Sequence, residues 1–502
     1  MLAVRNAQAV PLREIPLLPA EEFCTEVLEA VLHEARLSAL FCAPAGGELR
    51  LFAILAEDRL GVLHAISAPA GHAYPSLTPD CPQAHLFERE IFETWGVTPL
   101  GHPWLKPVRF PRKDPDGAPH AGPEIGLTHF MQAQGESTHE VAVGPVHAGI
   151  IEPGHFRFLC HGEDVLHLEI SLGYQHRGVE RALVQTGSGG PRFVQLAQTL
   201  AGDTTVGHTI AACQNLEALS GCRVPAGAQM LRAIGLEMER LANHAGDLGA
   251  LAMDMGYLPT SSFLGRIRGD FLNMTAKLCG SRFGRGLVTP GGTGCDLDKK
   301  RAGEVLAHLR EVFPQAMESV ELLWSTPSVI SRLERTGAVS RVDALALGLV
   351  GVAARACDVE IDVRQDYPTG AYAYAHVPVA TAQTGDVSAR TFVRHMELLH
   401  AEKFLVEHLT HLPDAAGPSG GFSAPVRALA PESLAVSLVE GWRGEICHVA
   451  LTDENGRFAA YKVVDPSFHN WAGLAMALRN QQISDFPICN KSFNLSYCGH
   501  DL

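Results

Sequence analysis

Seven prolines stand four residues apart, at Pro99, Pro103, Pro107, Pro111, Pro115, Pro119 and Pro123. A proline at each turn removes the amide donor that a helix requires, so this stretch reads as extended linker or loop and divides the chain. The apolar patterning differs on its two sides. The expectation is a small α/β domain over 1–110, a proline-rich linker over 111–140, and a larger, mainly helical domain with small antiparallel sheets over 141–502, α+β overall. With 46% hydrophobic and only 19% charged residues, a chain of 502 residues has apolar surface for more than one buried core.

In the first unit, residues 21–37 place Phe23, Val27, Val31 and Ala35 at helical spacing, while 49–55 and 60–66 are apolar strand-like runs on either side of a polar turn. Beyond Gly144, residues 165–172 fit a strand, and 211–219 and 231–255 fit helices. The last of these aligns Ile234, Met238, Leu241, Ala245, Leu248, Ala252 and Met255 on one apolar face. Residues 434–464 read as antiparallel strands, with Asn455-Gly456 supplying the positive backbone angles of a tight hairpin turn.

A formal charge of -15 disfavours a phosphate backbone, so nucleic acid is an unsuitable partner. The opening residues lack the basic cap and apolar core of a signal peptide, and no apolar run is long enough to span a bilayer; a cytoplasmic protein, held at the inner face of the membrane by partner subunits, is expected. The 12 cysteines are scattered singly, with no Cys-x-x-Cys, and read as reduced buried thiols. Gly187-Ser188-Gly189-Gly190 and Gly291-Gly292-Thr293-Gly294 lack both the strand-loop-helix context of a nucleotide fold and a phosphate-loop lysine, so direct NADH binding is not expected.

Several stretches point to one family. Phe87-Glu88-Arg89-Glu90-Ile91-Phe92-Glu93-Thr94-Trp95-Gly96-Val97, followed by Gly101-His102-Pro103, resembles the signature of the C-type subunit of NADH-quinone oxidoreductase, complex I. Gly144-Pro145-Val146-His147, Glu152-Pro153-Gly154-His155-Phe156-Arg157 and Gly173-Tyr174-Gln175-His176-Arg177-Gly178-Val179-Glu180 resemble the opening of its D-type subunit and of the large subunit of energy-converting nickel-iron hydrogenases of the formate-hydrogenlyase and hydrogenase-4 type. Residues 236–244, 252–256, 351–356, 362–364 and 465–471 are similar to both, so the chain resembles a fused C-plus-D polypeptide along most of its length.

The departures from that family decide the chemistry. Counting back from His208, the first Cys-x-x-Cys metal pair of the hydrogenases falls on Ala201 and Thr204; aligned from Ser492, the second falls on Ser496 and Gly499. None of the four offers the thiolate that holds nickel, so no nickel-iron centre and no metal ligand are expected. The chain ends at Asp501-Leu502 directly after this motif, so no maturation cleavage is expected either.

The resemblance implies that His155, in the loop after the first strand, and Asp254, late in the long helix, pair beside a quinone headgroup, where an aspartate-supplied histidine can bond a carbonyl and deliver a proton. The alternative is a structural loop histidine and a helix-terminal aspartate bonded to backbone. His147 is a weaker candidate in the same loop. The complex I tyrosine for the other quinone carbonyl falls at about Leu200, which has no hydroxyl.

Glu237, Arg240, His244 and Asp247 step by three, four and three residues along one helix face, either as a surface salt-bridge stripe or, given the close-packing Ala245, Gly246, Gly249 and Ala250, as a buried one able to carry protons. His176, Arg177 and Glu180, with Arg355, Asp362 and Arg364, match charged positions near the family's cavity, with structural ion pairing favoured. Asp203 and His208 sit in the stripped ligand loop and could bond whatever fills the pocket.

The resulting expectation is a hydrophilic subunit of a membrane-associated respiratory oxidoreductase. It receives electrons from a small, B-type iron-sulfur subunit, next to a ferredoxin-like subunit and membrane-arm subunits, reduces quinone or an equivalent acceptor, and couples this to ion translocation. The iron-sulfur cluster belongs to the partner. A non-catalytic scaffold is the alternative, and a true nickel-iron hydrogenase a remote third.

Overall fold

Almost every residue of the central N-terminal strands is buried, which requires cover on both faces of their sheet. The structure is a computed structural model that describes residues 1–111, 128–132, 135, 137–148, 151–187, 190–411 and 421–502. Strands β1 (Leu2–Val4), β2 (Gln8–Pro11), β3 (Arg36–Ala45), β4 (Glu48–Glu57) and β5 (Val62–Pro69) open the chain, and helix α1 (Ala20–Leu32) crosses between β2 and β3. The antiparallel order is β1-β5-β4-β3, while β2 leaves this sheet altogether. The helix ends at Leu32, so Ala35, expected on its apolar face, is instead buried just before β3; the chain reverses at Glu34 with φ +71°.

A short parallel pair, β6 (Ala73–Pro75) and β7 (Thr98–Leu100), brackets α2 (His85–Trp95), which carries the first signature. Its acidic residues act as fasteners. Glu88 is buried and accepts from Ser76, the Leu77 and Thr78 amides and the Thr78 hydroxyl, and Glu93 accepts the amides of Val108, Arg109 and Phe110. Arg89 donates to the carbonyls of Lys106 and Pro107. The first prolines of the ladder thus lie in a pinned strap; those from Pro115 to Pro123 lie outside the described residues.

The second part begins with an antiparallel sheet of β8 (Thr138–Val143), β9 (His155–His161) and β10 (Asp164–Ser171). β8 starts inside the stretch read as linker, because Val141 and Val143 pack against the core beside β9. Helices α3 (Val179–Thr186), α4 (Pro191–Ala197), α5 (Thr205–Ser220), α6 (Ala226–Asp254) and α7 (Leu258–Cys279) follow. α6 is buried nearly all round, and Gly246 and Gly249 let α7 close on it: a Cβ on Gly246 would lie 2.6 Å from the Arg268 Cδ, and one on Gly249 3.0 Å from the Leu264 Cβ. Met255, expected on the apolar face, lies just past the helix and is partly exposed.

Strands β11 (Val288–Thr289) and β12 (Gly292–Thr293) form a hairpin that takes up the second glycine run, with Gly291 close against Ala424 and Gly292 against Phe422. Of the first glycine run, Ser188 and Gly189 lie outside the described residues. Then come α8 (Lys299–Trp324), α9 (Pro327–Leu333), α10 (Arg341–Ala346), α11 (Gly351–Arg355), α12 (Val363–Asp366) and α13 (Val387–His411).

The chain closes with β13 (Ser433–Glu440), β14 (Glu445–Thr452), β15 (Phe458–Val464), α14 (Pro466–Ala477), α15 (Phe486–Phe493) and α16 (Tyr497–Asp501). The last sheet has the antiparallel order β15-β14-β13-β2, so the N-terminal β2 completes it. Between β14 and β15 only Gly456 has a positive φ, +70°; Asn455 does not, because Asp453 accepts the Asn455 and Arg457 amides and builds a longer loop than the expected two-residue turn. No helix among the described residues is long and apolar enough to cross a membrane, and all 12 cysteines are free, eight of them buried.

Gly351 shows how tightly α11 seats on the β13–β14 turn. Its φ is +61° and a Cβ would lie 2.1 Å from the Arg443 carbonyl oxygen and 2.3 Å from the Gly444 Cα. Gly351→Ala is expected to cost about 2–4 kcal/mol, the strained φ adding to the overlap, read as a lower denaturation midpoint. Gly303→Ala in α8, with open space around its Cβ, serves as the control and should not lower it.

Candidate functional site

Two loops meet deep in the second part. One, residues 201–204, leads into α5; the other, residues 494–499, leads into α16. Arg443 bridges them, bonding the Asn494 carbonyl and the Asp203 carboxylate, and burial pushes the nearby Cys498 thiol up to about 11. Ala201, Thr204 and Ser496 are buried at the junction, and the Ser496 Oγ accepts the Gly499 amide at 2.9 Å. A Cβ on Gly499 would lie 2.6 Å from the Cγ of Asp465. The four positions matching the metal pairs are therefore gathered at one junction, but a carboxylate occupies the space that a side chain at position 499 would need.

Asp465 is fully buried at the N-terminus of α14, where its Oδ1 accepts the Ser467 amide. Its Oδ2 lies 2.9 Å from His208 Nε2; His208 Nδ1 lies 3.1 Å from His448 Nε2; and His448 Nδ1 lies 3.1 Å from the Tyr461 hydroxyl. One set of protons satisfies the whole row: Tyr461 donates to His448, His448 to His208, and His208 to Asp465. Both imidazoles are then neutral. Burial holds His448 well below the usual histidine range, and although burial pushes Asp465 up, the hydrogen bond from His208 and the Arg443 charge hold its carboxyl low.

Asp203 caps the same junction. Arg443 clamps it with two hydrogen bonds of 2.7 Å and stacks over Trp442 at 3.9 Å, and Asn243 and the Trp442 indole donate to the Asp203 carbonyl. Burial raises the Asp203 carboxyl, but Arg443 outweighs it. Asp203 and His208, both expected in the stripped loop, are thus engaged by protein side chains.

The α6 stripe is a buried network, which corrects the surface reading. Glu237, Arg240 and His244 are fully buried and Asp247 nearly so, because α13, β13, α11 and α12 close over them. Arg240 bonds Glu237 at 3.1 Å, Glu397 at 3.2 Å and the carbonyls of Glu440 and Gly441. His244 Nε2 lies 2.7 Å from Glu397, Arg355 bonds Glu397 and Glu440, and Arg364 bonds Asp362 and Glu237. Asp247 pairs with Arg394 at 2.8 Å. Arg355, Asp362 and Arg364, expected as bracing ion pairs, therefore join the α6 stripe.

His176, Arg177 and Glu180 lie elsewhere. His176 Nδ1 and the Arg177 and Gly178 amides hold the carbonyls of Asp501 and Leu502, and Glu180 accepts from the Val463 amide and Lys462. His176 and Arg177 thus anchor the end of the last helix, and Glu180 is tied to β15. His147 Nε2 donates to the Gly154 carbonyl at 2.8 Å and braces its loop.

No hydrogen bond or ion pair joins His155 and Asp254. Half-buried His155 packs on Phe130 with Nδ1 3.4 Å from the Gly144 carbonyl, which makes Nδ1 the donor and leaves Nε2 as the basic nitrogen; burial lowers its pKa. Asp254 is exposed at the end of α6, its carboxyl raised by desolvation against the pull of Lys491. Both flank one apolar core, which contains Phe156 next to His155 and Leu251 and Ala252 just before Asp254. Leu200 is fully buried in a different core.

Residues 254–429 match the description "Respiratory-chain NADH dehydrogenase, 49 Kd subunit", and residues 22–120 match the corresponding 30 Kd subunit. Formate hydrogenlyase subunit 5 of Escherichia coli (strain K12) is 30% identical over 438 residues, covering 84% of this chain and 76% of that protein. The chain belongs to this family of fused 30 and 49 kDa subunits of oxidoreductase complexes. Hydrogenase-4 component G of the same organism is 28% identical over 449 residues, 87% of this chain and 77% of that protein. The fused C/D subunit of NADH-quinone oxidoreductase from Bacteroides thetaiotaomicron is 27% identical over 419 residues, 77% of each.

Within this family member, sequence reasoning missed Glu397, Glu440, Arg443, His448 and Tyr461. One signal was available: Arg390, Arg394 and Glu397 step by four and three on α13, the same kind of polar spacing as the α6 stripe that Arg394 and Glu397 meet. His448 and Tyr461 stand singly in β-strands and become partners only through the β14–β15 register and α5.

Proposed function

We propose that this protein works in a membrane-associated respiratory complex without a nickel-iron centre of its own, forming with an iron-sulfur partner the cavity in which quinone or an equivalent acceptor is reduced, and coupling that reaction to ion translocation in membrane partners. The observation that carries the reading is the Gly499–Asp465 contact. At the four positions matching the metal pairs the side chains are a methyl, two hydroxyls and a hydrogen, none of them a thiolate, and Cys498 beside them is a single thiol. These residues do not fit a thiolate-held metal, so no step is routed through one.

His155 and Asp254 are the acceptor-side candidates. With Nδ1 committed to the Gly144 carbonyl, His155 offers Nε2 to a reduced carbonyl oxygen, and its lowered pKa favours release of a proton once protonated. Exposed Asp254 would resupply it once a partner protein closes the cavity. In the complex purified with its partners, Asp254→Ala is expected to reduce quinone-dependent electron transfer by roughly 10²-fold or more, the scale of a lost general acid, with the makeup of the complex unchanged. Unchanged turnover, or stoichiometric nickel by metal analysis, sinks the reading. The fully buried, hydroxyl-free Leu200 favours a second reading, a scaffold without chemistry, which predicts no acceptor reduction even in the unaltered complex.

A further inference from the structure

A cavity of about 480 Å³ opens beside the buried α6 network, and its wall carries Arg364, Glu440, Tyr372, Gln214 and the exposed Arg223. Its volume is enough for several waters, and the polar side chains on its wall supply contacts for them. The network behind the wall contains four carboxylates, Glu237, Asp362, Glu397 and Glu440, against three guanidiniums, Arg240, Arg355 and Arg364, so one negative charge is in excess. A bare buried charge is costly, and a bound proton removes it.

Geometry decides where that proton sits. On His244, Nε2 faces Glu397 and the buried Nδ1 has no partner among the described residues; a protonated ring would leave a charged N–H unpaired there, so the imidazole is neutral. Glu397 is bonded by Arg355, Arg240 and His244, Glu237 by Arg240, Arg364 and the Tyr372 hydroxyl, and Asp362 by a two-point clamp from Arg364. Glu440 has the weakest support: one arginine bond, from Arg355 at 2.8 Å, and the Val363 amide at 3.1 Å. Asp362 bears on it from α12, and its strand partner Glu445 on β14 is held by Arg36, which also serves Asp58. Arg240 from α6 is bonded to the Glu440 main chain, and the Glu217–Arg232 pair on the same cavity wall is internally balanced.

We propose that Glu440 is a buried proton-binding site, whose carboxylate takes one proton from water in the adjoining cavity and returns it there, switching the network between neutral and singly negative. This goes beyond the acceptor reading and does not rest on it. Burial and the Asp362 charge push the Glu440 pKa up to about 7, so the switch works at neutral pH. Because that folded-state value lies above the ordinary ~4.3 of a glutamate, the stability this proton contributes is complete below the ordinary value and lost as pH rises through about 7.

Infrared difference spectroscopy across neutral pH tests the site on the whole chain. The unaltered protein is expected to show the C=O stretch of a protonated carboxylic acid, lost with a midpoint near neutrality, moved by carbon-13 labelling of glutamate but not of aspartate, and absent from Glu440→Gln. Two other carboxyls are pushed into the same range, Glu239 to about 8 and Asp366 to about 7, so the band is also read in Glu239→Gln, where glutamate labelling separates Glu440 from Asp366 even if Glu440→Gln misfolds. The absence of a titrating glutamate band from folded Glu239→Gln, or no loss of such a band in folded Glu440→Gln, overturns the proposal.

Discussion

Arg355→Leu is expected to lower folding stability by about 3–5 kcal/mol, the scale of an uncompensated buried charge. Arg355 is fully buried and its guanidinium serves Glu397, Glu440 and the Ile361 carbonyl at once, with Asp362 at 3.6 Å. Leucine fills the volume but leaves carboxylates from α12, α13 and β13 facing one another in a dry interior. Total stabilities of roughly 5–15 kcal/mol make that loss a large fraction of the whole. Arg355→Lys should not rescue it, because an ammonium lacks the planar fork that reaches two carboxylates and a carbonyl together. Arg266→Leu removes an exposed pair with Asp270 and is expected to change stability by less than ~1 kcal/mol. Denaturant midpoints compare the three, and equal losses for Arg355→Leu and Arg266→Leu would contradict the account.

The second large effect lies at the emptied ligand junction. Gly499→Cys is expected to cost about 2–4 kcal/mol, because the new Cβ displaces Asp465 and breaks both its 2.9 Å bond to His208 and its cap on the Ser467 amide. Thr204→Cys is close to volume-conserving and should cost less than ~1.5 kcal/mol. Placing cysteine at all four of Ala201, Thr204, Ser496 and Gly499 is expected to give a destabilised chain that does not bind nickel stoichiometrically, measured by elemental analysis after loading. A stable Gly499→Cys variant would mean that Asp465 yields easily and that the pocket could be rebuilt.

The sequence was most legible where local pattern and final environment agree. The 231–255 periodicity located α6, and the alternating, β-branched text of 434–464 located the last sheet. The fused layout was readable from its motifs. The polar stripe on α6 was visible, but whether it met water or other charges was not: burial depends on α13 and on the 351–366 segment, more than a hundred residues away. The ligand junction was half readable, since the missing sulfurs were plain and the incoming Asp465 was not. His155 and Asp254 were paired by resemblance alone, and in this chain no bond joins them.

The partnership of β2 with β13 ties opposite ends of the polypeptide. Residues 8–11 hydrogen-bond to residues 433–436, and Asn6 clasps the main chain of Leu438 from both sides. β2 must therefore wait for a partner strand more than 400 residues further along the chain, and closing so distant a contact is slow and exposed to mispairing. Any surface that rests on this sheet is complete only after its late strands have shut against β2.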